Sequence, residues 1–149
     1  MPVALSLHVA PTRHAPMVEV DSVEAEAGAG LVGDRYHGTR HRHVTVQSRA
    51  ELDEAARALG APIPSGRTRR NVTLDGGAVP TEPGARIVIG GVELEVVRKA
   101  APCRVMDREI GDGARRAMHG RGGAVCRVRT SGTIAVGDAA TITHLASRG

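Results

Sequence analysis

The residues with the most reactive chemistry in this 149-residue chain are few. Cys103 follows Pro102 and precedes Arg104, with the only lysine, Lys99, four positions upstream. Neighbouring cations favour the thiolate, the form of cysteine that acts as nucleophile and soft-metal ligand. The same residue also has a plain reading, as a small, partly buried apolar side chain. These few residues leave both readings open. Cys126 falls inside an alternating apolar run, Ala124 to Arg129, and reads as core. With two cysteines and no Cys-x-x-Cys pair, neither a disulfide framework nor a structural zinc or dithiol site is expected.

A second polar stretch is Gly33-Asp34-Arg35-Tyr36-His37-Gly38-Thr39-Arg40-His41-Arg42-His43. Two glycines bracket its charged first part and let backbone come close to a ligand. Arg35, Arg40 and Arg42 are suited to phosphate. His37, His41 and His43 lack the helical i,i+4 pair of a persuasive metal motif, so a solvated or anion-contacting loop is expected. Further along, Arg69-Arg70-Asn71 leads an apolar run, and Asn71 offers both a donor and an acceptor.

The composition limits what these residues can do. The chain holds 19 arginines, carries a net charge of +4, and has no Phe, no Trp and one Tyr. Guanidinium forks bind phosphate bidentately, although solvated arginine is the ordinary alternative. The core must be aliphatic, and nucleobases have almost nothing to stack on. No apolar run approaches the length of a membrane span. The N-terminus lacks the basic and long apolar regions of a signal peptide. A single domain in the cytoplasm is expected.

Short elements must position these residues. Val3 to Val9 and Met17 to Val23 alternate as strands, with a turn over Ala25 to Gly30. Val44 to Val46 runs into Ser48-Arg49-Ala50-Glu51, a capping-box pattern. Leu52, Ala55, Ala56 and Leu59 then mark one face of a helix that stops at Gly60. A loop over Ala61 to Thr68 precedes a strand from Arg69 to Leu74. Gly90-Gly91 joins Ala85–Ile89 to Val92–Val97 as a hairpin, which feeds into Pro102-Cys103. Arg104 to Met118 has helical character that Gly111 and Gly113 are placed to break. Strands follow over Ala124–Arg129, Thr133–Val136 and Ala139–His144. About nine strands and two helices predict a mainly β, closed or nearly closed barrel.

The ordered set Gly33-Asp34-Arg35-Tyr36-His37-Gly38, Val44-Thr45-Val46-Gln47-Ser48, Arg70-Asn71-Val72, Pro102-Cys103-Arg104, Arg121-Gly122-Gly123 and Gly132-Thr133-Ile134-x-x-Gly137-Asp138 resembles the MOSC domain family, named for the C-terminal part of molybdenum-cofactor sulfurase. The likeness runs from about Val18 to Ile142. It implies a barrel related to the barrel domain of pyruvate kinase. It also implies that Cys103 is the family's functional cysteine, a molybdenum ligand or persulfide carrier. Arg35, Arg70 and Asn71 match positions near the family's cofactor pocket, and Arg104 adjoins the thiol. The implied cofactor is the molybdenum cofactor, a pterin with a dithiolene and a phosphate. A soft thiolate and guanidinium forks suit such a group.

Two family features are not expected within these 149 residues: the extra β-rich domain of reductases of N-hydroxylated compounds, and the pyridoxal-phosphate domain of full-length sulfurases. Lys99 is not set in a phosphate-binding loop, so pyridoxal phosphate is not expected. The expected partners are the pterin, a small-molecule substrate, and either a cysteine desulfurase or an electron-donor protein. No membrane is expected. The competing reading is a basic barrel that binds nucleic acid or another anion without catalysis. It is the weaker one, because a reader motif is missing.

Overall fold

The computed structural model describes residues 1–102 and 104–145, the Arg104 side chain excepted. Its strands are β1 (Ala4–Val9), β2 (Val18–Val20), β3 (Ser22–Glu26), β4 (Gly30–Leu31), β5 (Val44–Ser48), β6 (Val72–Leu74), β7 (Arg86–Ile89), β8 (Val92–Lys99), β9 (Ala124–Val128), β10 (Gly132–Ala135) and β11 (Ala140–Thr143). The α-helices are α1 (Arg49–Leu59), α2 (Arg104–Glu109) and α3 (Ala114–Ala117), with a 3-10 turn over Ser65–Arg67.

Eight strands form one sheet in the order β11-β7-β8-β9-β5-β6-β1-β2, and β10-β3-β4 form a second. The large sheet curls on itself. An isolated bridge pairs Val3 with Ala139, and the Ala140 amide donates to the Pro2 carbonyl at 2.8 Å. The start of β1 therefore meets the start of β11, which nearly closes the barrel expected from the turn spacing. Pairing in the large sheet is antiparallel except between β5 and β6. A parallel pair needs a long crossover, and α1 with the loop after it supplies one.

The barrel interior is aliphatic, as a chain with a single aromatic residue requires. Leu7, Val46, Val72, Ile87, Leu94 and Ile134 are all buried there. A smaller cluster, with Leu52, Ala55, Ile63, Met106 and Met118, packs the helices beside the barrel. Leu52 and Ala55 are the buried stripe of α1, and Gly60 ends the helix at φ 79° with its amide on the Ala56 carbonyl. Gly90 and Gly91 sit at φ 58° and 91°, the conformation that a tight turn between β7 and β8 requires. Cys126 is fully buried, and burial pushes its thiol up to about 12.

Several expectations are corrected. Ser48 is the N-cap of α1, but its hydroxyl donates to the Gly77 carbonyl at 2.5 Å, and Glu51 accepts the Val79 amide at 3.0 Å. The capping-box residues thus tie the helix start to the 75–79 loop instead of to each other. The run from Met17 to Val23 is not one strand: it divides at Asp21 into β2 and β3, which belong to different sheets. The strand after the second loop begins only at Val72, because Arg69 adopts a left-handed φ of 61°. The helical stretch after Cys103 does break at Gly111 and Gly113, giving α2 and α3. Among the described residues no helix is long and apolar enough to cross a membrane.

Candidate functional site at the Pro102 loop

β8 delivers the chain to Pro102. Its last residue, Lys99, pairs with Ala124 of β9, and the Ala100 amide donates to the Gly123 carbonyl at 2.9 Å. Arg70 holds the next turn from behind. It is 4 % exposed. Its Nε–H donates to the Gly122 carbonyl at 3.0 Å, and Nη2 reaches the carbonyls of Ala100 and Ala101 at 3.4 and 3.3 Å. One planar fork thus pins the residues before Pro102 to the loop that precedes β9. The fit is tight: a Cβ at Gly122 would stand 2.7 Å from the Ala100 oxygen. Cys103 and the Arg104 side chain lie outside the described residues. Arg70→Lys should destabilise the fold by about 2 kcal/mol, because an ammonium point charge cannot span carbonyls on two loops. A denaturant midpoint measures this, and an unchanged midpoint would remove the clamp.

A cleft of about 700 Å³ opens against Pro102, lined by Lys99, Ala101, Asp107, Arg115, Arg116 and His119 among others. Lys99, Arg115 and Arg116 are exposed, and among the described residues none of their side chains is paired with a carboxylate. Asp107 is turned to another task, accepting the Arg115 backbone amide at 2.9 Å. The cleft is therefore cationic, which suits an anionic group and would favour a thiolate over a thiol beside it.

Arg35 and Asn71 lie in a different environment. The buried Asp34 carboxylate accepts the amides of Ala10 (3.1 Å) and Tyr36 (3.3 Å) and the Asn71 amide group (3.2 Å). Asn71 also donates to the His8 carbonyl at 3.0 Å, and its Oδ1 accepts the Thr45 amide and hydroxyl at 3.0 and 3.1 Å. The Asn71 side chain is thus fully occupied in joining β1, β5, the start of β6 and the 33–43 loop. The Arg35 guanidinium lies 3.9 Å from Asp34, donates to the Met17 sulfur at 3.3 Å, and covers the Tyr36 ring at 4.6 Å. Arg69 is spent on the carbonyls of Arg13 and Ala15, which fixes the loop after β1. Burial and then Arg35 draw its guanidinium below the ordinary value. So the structure sets Arg70 at the Pro102 loop and gives Arg35 and Asn71 to a buried network in the neighbouring loops. Among the described residues no three His, Cys, Asp or Glu side chains are gathered to hold a metal.

The model of the MOSC domain family matches residues 33–141. The chain belongs to the MOSC family. Solved structures agree on the fold. YuaD from Bacillus subtilis superimposes with a TM-score of 0.83 at 22 % identity, over 96 % of each chain. YiiM from Geobacillus stearothermophilus gives 0.74 at 18 % identity, over 97 % of this chain and 76 % of the other. YiiM from Escherichia coli gives 0.71 at 18 % identity, over 99 % and 72 %. No curated protein matches the sequence significantly.

Sequence reading singles out Lys99 in this MOSC domain but misses Arg115, Arg116 and His119. The one signal was the pair Arg115-Arg116 directly after the Gly111/Gly113 break. A break that turns a helix back toward the preceding strand brings the next residues over the strand exit. Asp34 and Thr45 were also missed as the partners that occupy Asn71. Their contacts cross 37 and 26 positions of sequence, which local pattern does not register.

Proposed function

We propose that this MOSC protein binds the molybdenum cofactor in the Pro102 cleft, with Cys103 as its soft ligand or as a carrier of sulfur. The observation that supports this best is the cationic cleft of about 700 Å³ against Pro102, where among the described residues Lys99, Arg115 and Arg116 form no ion pair with a carboxylate. Those residues fit a pterin phosphate, and Arg104, next to Cys103 in the sequence, is a further cation. When bound, the cofactor supplies a metal centre that exchanges an oxygen or sulfur atom and two electrons.

The chain's own residues bind and orient. Arg70 fixes the backbone entering Pro102, the residue directly before Cys103 in the sequence. Lys99, Arg115 and Arg116 supply positive charge to the cleft, and such surroundings favour a thiolate over a thiol. Arg35 and Asn71 act behind the site, keeping the 33–43 loop against β1 and β5. In the sulfur-transfer form, the Cys103 thiolate attacks the outer sulfur of a persulfide on a cysteine desulfurase. A new S–S bond forms at Cys103, and the desulfurase thiolate leaves. In the reductase form, a partner protein supplies two electrons, and the substrate is a small N-hydroxylated compound. Either form belongs in the cytoplasm, where thiols stay reduced.

The competing reading, a barrel that binds nucleic acid, has less support. Its only aromatic ring, Tyr36, lies under the guanidiniums of Arg35 (4.6 Å) and Arg42 (4.4 Å) and is not free to stack on a base. The deciding experiment is expression in a host that makes the cofactor, followed by metal analysis and pterin fluorescence. Wild type should retain molybdenum and pterin, and Cys103→Ser should lose roughly tenfold or more of the metal, as expected for loss of a thiolate ligand. Wild type without either component, or Cys103→Ser with full occupancy, would overturn the proposal.

A further inference from the structure

The end of β9 carries a further concentration of arginine away from the Pro102 loop. Ala124, at its start, pairs with Lys99; Val128 lies four residues on, about 13 Å along the strand. There a separate cleft of about 300 Å³ is lined by Gly28, Arg40, His43, Arg127, Val128 and Arg129. Three guanidiniums face it from two loops and one strand.

His43 builds this cleft without entering its chemistry. It is 1 % exposed. Its Nδ1 accepts the Val128 amide at 3.0 Å, so the proton is on Nε2, which donates to the Thr39 carbonyl at 2.7 Å. With both nitrogens occupied the ring is neutral, and burial lowers its affinity for a second proton. The ring locks the 39–43 segment onto β9 and so brings Arg40 over Arg127 and Arg129. The Gly28 amide, on the Val128 carbonyl at 3.1 Å, fixes the third wall.

The charges do not cancel. Glu95 is the carboxylate that answers Arg127 (3.4 Å) and Arg129 (3.7 Å), and it also faces Arg86 at 3.8 Å. Arg86 has a second partner in Glu93 at 3.7 Å. Glu26 is engaged by His37 at 3.4 Å. Arg127 Nη1 meets His41 Nδ1 at 3.4 Å, while its buried Nε has no hydrogen-bond partner among the described residues. Arg40 has no ion pair or hydrogen bond from its side chain among the described residues. Two cations in excess of the carboxylate paired with them therefore converge on a cleft of about 300 Å³, room for a tetrahedral anion together with part of the molecule that carries it.

We propose that the Arg40–Arg127–Arg129 cleft is a second, independent anion site that takes the phosphoryl or sulfuryl group of a small molecule. Guanidinium forks match the tetrahedral oxygens, and the lining holds no Phe, Tyr or Trp ring for a base to stack on, its one imidazole, His43, being buried. The site does not depend on cofactor binding at Pro102, so either reading survives loss of the other.

The test is an NMR titration of the full chain with inorganic phosphate and with sulfate, against chloride at matched ionic strength. Saturable shifts confined to the amides of Gly28, Val128 and Arg129 are expected, with dissociation constants in roughly the millimolar range. Arg40→Gln and Arg129→Gln, both exposed and separate from the Pro102 cleft, should each weaken binding roughly tenfold, the loss of one charge-assisted contact. Three outcomes would overturn the site. Chloride could produce the same shifts, the two variants could bind phosphate as wild type does, or an oligonucleotide could saturate these amides where phosphate and sulfate do not.

Discussion

Gly123→Ala should destabilise the protein by more than about 4 kcal/mol and lower its melting temperature by on the order of 10 °C. Two separate penalties meet there. Gly123 has φ 83°, where a side chain costs roughly 1–2 kcal/mol by itself. An added Cβ would also stand 1.8 Å from the Val46 carbonyl oxygen, 2.8 Å from its carbon and 2.9 Å from the Gln47 Cα. All three are backbone atoms of β5, so no rotamer change relieves the overlap. Relief requires parting β5 from β9, beside the Val46–Ala124 pair, and with it the Ala100–Gly123 hydrogen bond that positions the Pro102 loop. Gly33→Ala is the control. It has φ 88° but nothing within 4 Å of the added carbon, so it should show only the backbone penalty of about 1 kcal/mol. Thermal melts of the two variants decide the matter, and equal losses would refute the steric argument.

Asn71→Ala should cost about 3–5 kcal/mol, read as a shift of the urea midpoint at unchanged slope. The residue is 3 % exposed, and its amide makes four side-chain hydrogen bonds. Truncation strands the Thr45 amide and the His8 carbonyl in the interior and takes a donor from the buried Asp34 carboxylate. Those groups have no water to turn to, and an orphaned buried group costs more than a formed hydrogen bond contributes. Asn71→Asp tests the electrostatic part. It sets a second carboxylate 3.2 Å from Asp34 Oδ1, where the Asn71 Nδ2 now lies. Two carboxylates so close cannot both ionise without cost, so one is held protonated to higher pH in the folded state. The penalty is therefore full only above the raised pKa of the folded pair, shrinks as the pH falls from there to the ordinary carboxylate range, and is gone below that range. A deficit that does not change between neutral and acidic pH would show that Asp34 is not the group responsible.

Local pattern determined a good deal of this molecule. The α1 stripe of Leu52, Ala55, Ala56 and Leu59, the Gly60 stop, the Gly90-Gly91 turn and the glycine break after α2 all rest on contacts within one helix turn or one hairpin. Side-chain period and backbone preference act over that range, so the sequence carries them openly. The ordered motifs around Pro102-Cys103 likewise led to the MOSC family, because motif order survives where overall identity falls to 18–22 %. Tertiary structure decided what each polar residue does. Ser48 and Glu51 spell a capping box, yet the 75–79 loop, some 28 positions away, offers them better partners. Asn71 reads as a ligand-facing amide, yet its partners from β1, β5 and the 33–43 loop occupy it. Arg70 clamps a loop 30 positions downstream, and Arg115 and Arg116 reach the Pro102 cleft only because α3 folds back across it. Hydrogen bonds and charges are satisfied by whatever the curled sheet brings within about 3 Å, and that neighbourhood exists only once the sheet has curled.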